Sequence, residues 1–132
     1  MQKTFGKGTM PIPRPIDVDA LMRVAKRGEL VTQSQLRARL ARDAGADHAC
    51  PMTTGIFVRI AAEAAEEDAR AGKKRITPYW RTIKDDGGLN EKFPGGAAAQ
   101  AKRLRAEGLI VEPHRRRGRP MVRGFERNLI RV

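Results

Sequence analysis

Residues 75–96 read RITPYWRTIKDDGGLNEKFPGG. Ile76 and Thr77 ahead of Pro78 predict a strand-like run, because the residue before a proline is driven toward extended backbone. Tyr79 and Trp80 follow beside Arg81, and Asp85-Asp86-Gly87-Gly88 is a turn signal. Gly95-Gly96 then breaks the chain before a helix of strong formers over 97–107, with Gly108 at its stop. Leu109-Ile110-Val111 reads as a further strand. This order predicts an α/β domain, mainly α, winged-helix-like, with helices packed around a small sheet.

Upstream, residues 28–45 read GELVTQSQLRARLARDAG. Thr32 and Gln35 have the spacing of a capping box, and Val31 with Leu36 that of a hydrophobic staple. Leu36 and Leu40 then share one helical face, with Arg37, Arg39 and Arg42 around it. A loop over 43–51 leads to a second helix capped at Thr53 or Thr54 and reaching about Ala71. Its buried stripe is expected at Ile56, Phe57, Ile60, Ala61, Ala64 and Ala65. Two capped helices joined by a loop suggest a helix-turn-helix. Before them, Asp17 or Asp19 caps a short helix through Ala20, Leu21, Val24 and Ala25 that ends at Arg27-Gly28. Residues 1–15, rich in Gly and Pro, are expected to form a flexible or extended arm, 16–111 the domain, and 112–132 a basic hairpin or tail.

The 132 residues carry 27 Lys and Arg against 15 Asp and Glu, a net charge of +12. Such a balance favours a polyanionic partner, most often nucleic acid, over a bare solubility role. It is uneven: residues 101–132 hold ten Lys/Arg against three Glu. No run approaches the ~20 apolar residues of a membrane span. The first fifteen residues contain no apolar core of signal-peptide length, so a cytoplasmic, nucleoid-associated location is expected. The one cysteine, Cys50, excludes an internal disulfide. His48, Cys50 and His114 are too scattered to form a metal-spacing motif, and no cofactor is expected.

The order Pro78-Tyr79-Trp80-Arg81, two further residues, an Asp-Gly turn and a later Gly-Gly resembles the active-site segment of methylated-DNA–protein cysteine methyltransferases. The resemblance covers roughly residues 16–108. Gly28-Glu29-Leu30-Val31-Thr32 resembles the turn before that family's first recognition-unit helix. Val58-Arg59 resembles its Val-Arg or Ala-Arg pair, Gly88 and Gly95-Gly96 its later glycines, and Glu107-Gly108 the end of its last helix. Three positions depart from the family. Tyr79 stands at the acceptor cysteine, Trp80 at the histidine, and Gln33 at a tyrosine that helps rotate a nucleotide out; Asp68 lies near the family's asparagine. The chain is therefore most similar to alkyltransferase-like proteins, which lack the acceptor cysteine.

That resemblance implies a non-catalytic protein that binds double-stranded DNA, recognises alkylated guanine by base flipping and marks it for nucleotide excision repair proteins. It implies Arg59 as the side chain that fills the gap of a flipped base. It also implies a base pocket formed by Tyr79, Trp80, Gly95, Gly96 and Glu107. Thr32, Gln33, Ser34, Thr54 and Arg81 join Arg59 as expected DNA contacts, with Arg115, Arg116, Arg117 and Arg119 on phosphates. Alkyl transfer needs a thiolate beside a base, and a phenol of ordinary pKa near ~10 is no substitute.

Each role has a plainer rival. Arg59 has Glu63 one turn on as an ion-pair partner, and Tyr79 and Trp80 are also good core fillers. Arg117-Gly118-Arg119-Pro120 matches an AT-hook core, although ordinary phosphate contacts account for it as well. Two other functions fit the chain. One is a winged-helix regulator or nucleoid-type protein without lesion specificity, and the other an active alkyltransferase working through Cys50.

Overall fold

In a computed structural model that describes residues 15–45, 51–113 and 119–132, the first helix, α1 (Pro15–Met22), starts on a proline. Proline suits the first helical position, where its missing N–H costs nothing. The helix stops at Met22, short of the expected Arg27-Gly28. Successive turns follow, and Gly28 at φ +82° directs the chain into β1 (Val31–Thr32). The expected capping box forms: Thr32 Oγ1 accepts the Gln35 N–H at 3.1 Å, and Gln35 Oε1 accepts the Thr32 N–H at 2.9 Å. It starts α2 (Gln33–Asp43), whose Leu36 and Leu40 enter the core as the 3.6-residue period requires.

The next helix, α3 (Pro51–Arg70), again opens on proline, so Thr53 and Thr54 lie inside it rather than at its cap. Its buried face also differs from the expected stripe. Thr54, Val58, Ala61, Ala62 and Ala65 point inward, while Ile56 and Ile60 remain 45% and 42% exposed. Small side chains on the inner face let α3 lie close against α1 and α2. No helix among the described residues is long and apolar enough to cross a membrane.

The stretch RITPYW forms no strand. Pro78 has no N–H to give to a ladder, and Tyr79–Arg81 close instead into a 3-10 turn. Extended pairing begins at β2 (Thr82–Ile83), which runs parallel to β1 with Val31 opposite Thr82 and Thr32 opposite Ile83. The expected turn follows: Gly87 donates to Lys84 O and Lys84 donates to Gly88 O, both at 2.9 Å. Gly87 sits at φ +84°, and a Cβ there would lie 2.5 Å from Phe125 Cδ1. Only glycine serves both demands.

Helix α4 (Gly96–Ala106) matches its expected span to within a residue, and Gly108 at φ +90° ends it. The strand expected at 109–111 is displaced to β3 (Val111–Pro113), because Leu109 still donates its N–H to Leu104 O. Strand β3 pairs antiparallel with β4 (Pro120–Val122). Residues 120–132 pack onto the common core through Val122 and Phe125. Leu30 donates to Asn128 O at 2.8 Å and accepts from Ile130 N–H at 3.0 Å, so the last residues run parallel to β1. The core they close centres on Met22, Leu30, Leu36, Val58, Ile83 and Leu104.

Candidate nucleic-acid interface

Tyr79, Trp80 and Arg81 are placed by the 3-10 turn between α3 and α4, and each is tied to a carboxylate. Tyr79 is 1% exposed and donates its hydroxyl to Glu66 of α3. Its ring meets those of Trp80 and Phe93 edge-on, with centroids 5.3 and 5.1 Å away. Burial, followed by the hydrogen bond and negative charge of Glu66, pushes the phenol well above its ordinary pKa. A buried, fully protonated tyrosine is no nucleophile at neutral pH. Arg103 from α4 also reaches Glu66 at 2.8 Å and lies 4.4 Å from the Trp80 ring centroid, a cation–π distance.

Glu107, at the end of α4, collects the other half of the network. Its oxygens accept from the Trp80 indole at 2.8 Å, the Gly28 N–H at 2.9 Å and the Arg81 guanidinium at 2.7 Å. Burial by itself would raise this carboxyl's pKa. The hydrogen bonds from Arg81, Gly28 and Trp80 and the charge of Arg81 outweigh it and hold the group below its ordinary value. Arg81 also donates to Ala25 O at 2.8 Å. Its side chain, 14% exposed, therefore acts as a bracket between α4 and the α1–β1 turn. Thr54 is likewise interior at 1% exposure, and Thr32 is occupied by its cap.

Outside this network lies an open cleft of about 310 Å³ between the start of α2, the first half of α3 and residues 84–92. Gln33, Met52, Ile56, Arg59, Lys84 and Asn90 contribute to its walls. Arg59 is half exposed and only loosely attracted to Glu63, with Nε 3.7 Å from its carboxylate. Lys84 stands 3.7 Å from Glu91 across the mouth. Gly55 on α3 lines the cleft with no side chain, and a Cβ there would meet nothing within 4 Å. Met52, Ile56 and Ile60, four residues apart along α3, form an exposed apolar edge beside Arg59. Such an edge is one that a groove of bases or sugars can cover.

The structure thus gathers Gln33 and Arg59 at one opening, while Ser34 nearby donates its hydroxyl and N–H to Asp85. Tyr79, Trp80 and Glu107 form a second, interior cluster. Gly95 lines an open groove of about 510 Å³ with Glu66 and Arg103, and Gly96 at φ +72° starts α4. Arg119 is exposed beside β4. Arg115, Arg116 and Arg117, with His48, Cys50, His114 and the arm over 1–14, lie outside the described residues. Two members of the network were not anticipated. Glu66 sits within the acidic run Glu63, Glu66, Glu67 and Asp68 of α3, in which no local feature marks it as the residue that reaches Tyr79. Gln100, fully buried, donates to Trp80 O and Thr82 O and accepts from the Asn90 N–H, pinning the 80–90 segment. A glutamine midway along an alanine-rich helix was the available signal.

No family model and no curated protein matches the chain. Among solved structures it is similar to S. pombe Atl1 in complex with damaged DNA containing O6-carboxymethylguanine. The TM-score is 0.60 at 15% identity, over 89% of this chain and 94% of the other. At that identity the likeness is one of fold, and it accords with the mainly helical α/β architecture.

Proposed function

We propose that this chain binds double-stranded DNA without transferring an alkyl group, and that it reads an alkylated guanine turned out of the helix into the cleft beside Arg59. The observation that carries the reading is the cleft itself. It places a loosely held arginine, an apolar helix edge and a glycine gap on one open face of a +12 protein. The fold likeness to a protein crystallised on damaged DNA supports it. A volume near 300 Å³ lies at the lower end of small-molecule sites and suits one base with its substituent. Arg59 would occupy the vacated stack. The interior network would keep the 79–90 segment rigid, so that the cleft is formed before DNA arrives. Tyr79, buried and protonated, has no part in chemistry, and marking the lesion for excision-repair proteins is the role such a reader would have. Cytoplasmic, nucleoid-associated placement accompanies that role.

The burial of Tyr79 and Trp80 favours a second reading, duplex binding without base flipping, because neither ring lines the cleft. Fluorescence anisotropy at fixed salt separates the two. It would compare duplexes that differ only in one guanine alkylated at its exocyclic oxygen. Tighter binding to the modified duplex, lost in Arg59→Ala and in Ile56→Glu, is the expected result. Equal affinity for both duplexes with a steep salt dependence would establish the second reading instead.

A further inference from the structure

A second basic groove lies on a part of the surface that shares no residue with the Arg59 cleft. It encloses about 390 Å³ between the turn after α1 and the connector that leaves α3, with Arg23, Lys26, Lys74, Arg75 and Arg81 around it and Trp80 in its wall. Two of these five cations are neutralised within the fold, Arg23 by Asp19 at 2.8 Å and Arg81 by Glu107 at 2.7 Å. Lys26, Lys74 and Arg75 are exposed and have no ion-pair partner among the described residues. The carboxylate of Glu29, the nearest in sequence to Lys26, accepts that residue's backbone N–H. No carboxylate lines the groove.

One hydrogen bond ties α1 to the connector beside the groove. Asp19 of α1 is bonded both to Arg23 and to the hydroxyl of Thr77 on the connector, which joins the two sides. Three exposed cations without an ion-pair partner among the described residues thus line one concavity, and their shared positive potential favours an anion there. The position is equally telling. The 20 residues of α3 span about 30 Å at 1.5 Å per residue. Arg59 stands in the first half of that helix, and the connector leaves from its far end.

We infer that this groove is a second site for the phosphate backbone of nucleic acid, so that one molecule holds two duplex segments, one against the first half of α3 and one beyond its C-terminal end. Lysine is depleted from protein–protein interfaces and is an ordinary partner of phosphate. A groove supplied by two lysines and an arginine therefore fits a phosphodiester backbone better than an acidic protein. The bridging role rests on the duplex binding proposed for the Arg59 face, whereas the groove's own affinity for phosphate does not.

The test uses a duplex fixed to beads and a second, labelled duplex in solution, with the full chain as wild type, Lys26→Gln/Lys74→Gln/Arg75→Gln and Arg59→Ala. The wild type is expected to retain the labelled duplex on the beads. The triple variant should bind the fixed duplex through α3 within about twofold of wild type, melt at the same temperature and retain at least tenfold less of the second duplex. If three phosphate contacts are lost, the salt dependence of total binding should flatten by about 0.9 per contact in log–log slope. Retention by the triple variant equal to wild type overturns the inference, as does a wild type that binds one duplex and never two. A wild type that binds no duplex overturns the α3 reading and the bridging together. Binding of labelled single duplex by Arg59→Ala, abolished when the triple substitution is added, would show the groove acting by itself.

Discussion

Glu107→Gln removes one charge and reverses half of one hydrogen-bonding group. The glutamate side chain is 6% exposed and its partner Arg81 14%. In the variant, an amide carbonyl can still accept from Gly28 and from Arg81 Nε. The amide NH2, however, points at two donors, the Trp80 indole and the Arg81 terminal nitrogen, that now bond to Oε2. A buried guanidinium loses its counter-charge and an indole N–H loses its acceptor. Breaking a buried pair from one side costs about 3–5 kcal/mol; the retained bonds place this variant near 3 kcal/mol. With a urea dependence of about 1–3 kcal/mol per molar, the unfolding midpoint at pH 7 falls by roughly 1–3 M. Because the chain has one tryptophan, Trp80 fluorescence reports on this cluster directly, and circular dichroism on the helices tests whether unfolding is two-state.

The pH dependence sharpens the test. The folded pKa of Glu107 is depressed. Its contribution is therefore present above the unfolded value of about 4.3 and is lost as pH falls from there through the folded value. Wild type should lose stability in that window more steeply than Glu107→Gln, and the two should converge in acid. A variant within about 1 kcal/mol of wild type at pH 7, with the same acid-side slope, would refute the view that this carboxylate holds the turn, α4 and the 3-10 segment together.

Tyr79 is the one tyrosine, so alkaline titration followed by phenolate absorbance reads it alone. Since its folded pKa is raised, the stabilisation it reports is complete below about pH 10 and is lost as pH rises beyond it. Phenolate should therefore appear only with unfolding, and a reversible native titration near pH 10 would contradict the burial described. Gly87→Ala imposes a left-handed φ on alanine and drives its methyl into Phe125. A loss of about 2 kcal/mol or more is expected in thermal denaturation, and a neutral result would mean the turn relaxes freely. Thr82 Oγ1 is a buried side-chain oxygen without a partner among the described residues. Thr82→Val should thus be neutral or stabilising by up to about 1 kcal/mol in urea, and a clear loss would show that the hydroxyl has a partner.

The features legible in the sequence are those that a few neighbouring residues decide. The capping box needs only Thr32 and Gln35, the α4 stop only Gly108, and the 84–88 turn only its own Asp and Gly. The inner face of α3 was not legible, because two apolar sets share that helix. Hydrophobicity favours Ile56 and Ile60, yet close approach to α1 and α2 favours the alanines, and packing decided. The run RITPYW has β-branched residues, but among the described residues no strand pairs with it before Thr82. For the candidate site, Arg59 at an open face follows from its local pattern. The pairing of Tyr79 with Glu66, and of Glu107 with Gly28, depends on segments 13 and 79 residues apart that no local signal links.

Leu30 is fully buried, and its N–H and C=O find their partners at Asn128 and Ile130. Gln35, whose side chain helps cap α2, donates its amide to Ile130 O as well. During synthesis, residues near position 30 emerge long before those near 130, so in that interval Leu30, just ahead of β1, has neither backbone partner. Long-range pairings of this kind slow folding, since the loop between partners must close before they contribute. A nascent chain paused before residue 128 would hold a nearly complete set of helices around two buried backbone groups with no partner. Such a chain should fold only loosely until residues 128–130 clear the ribosome and reach Leu30.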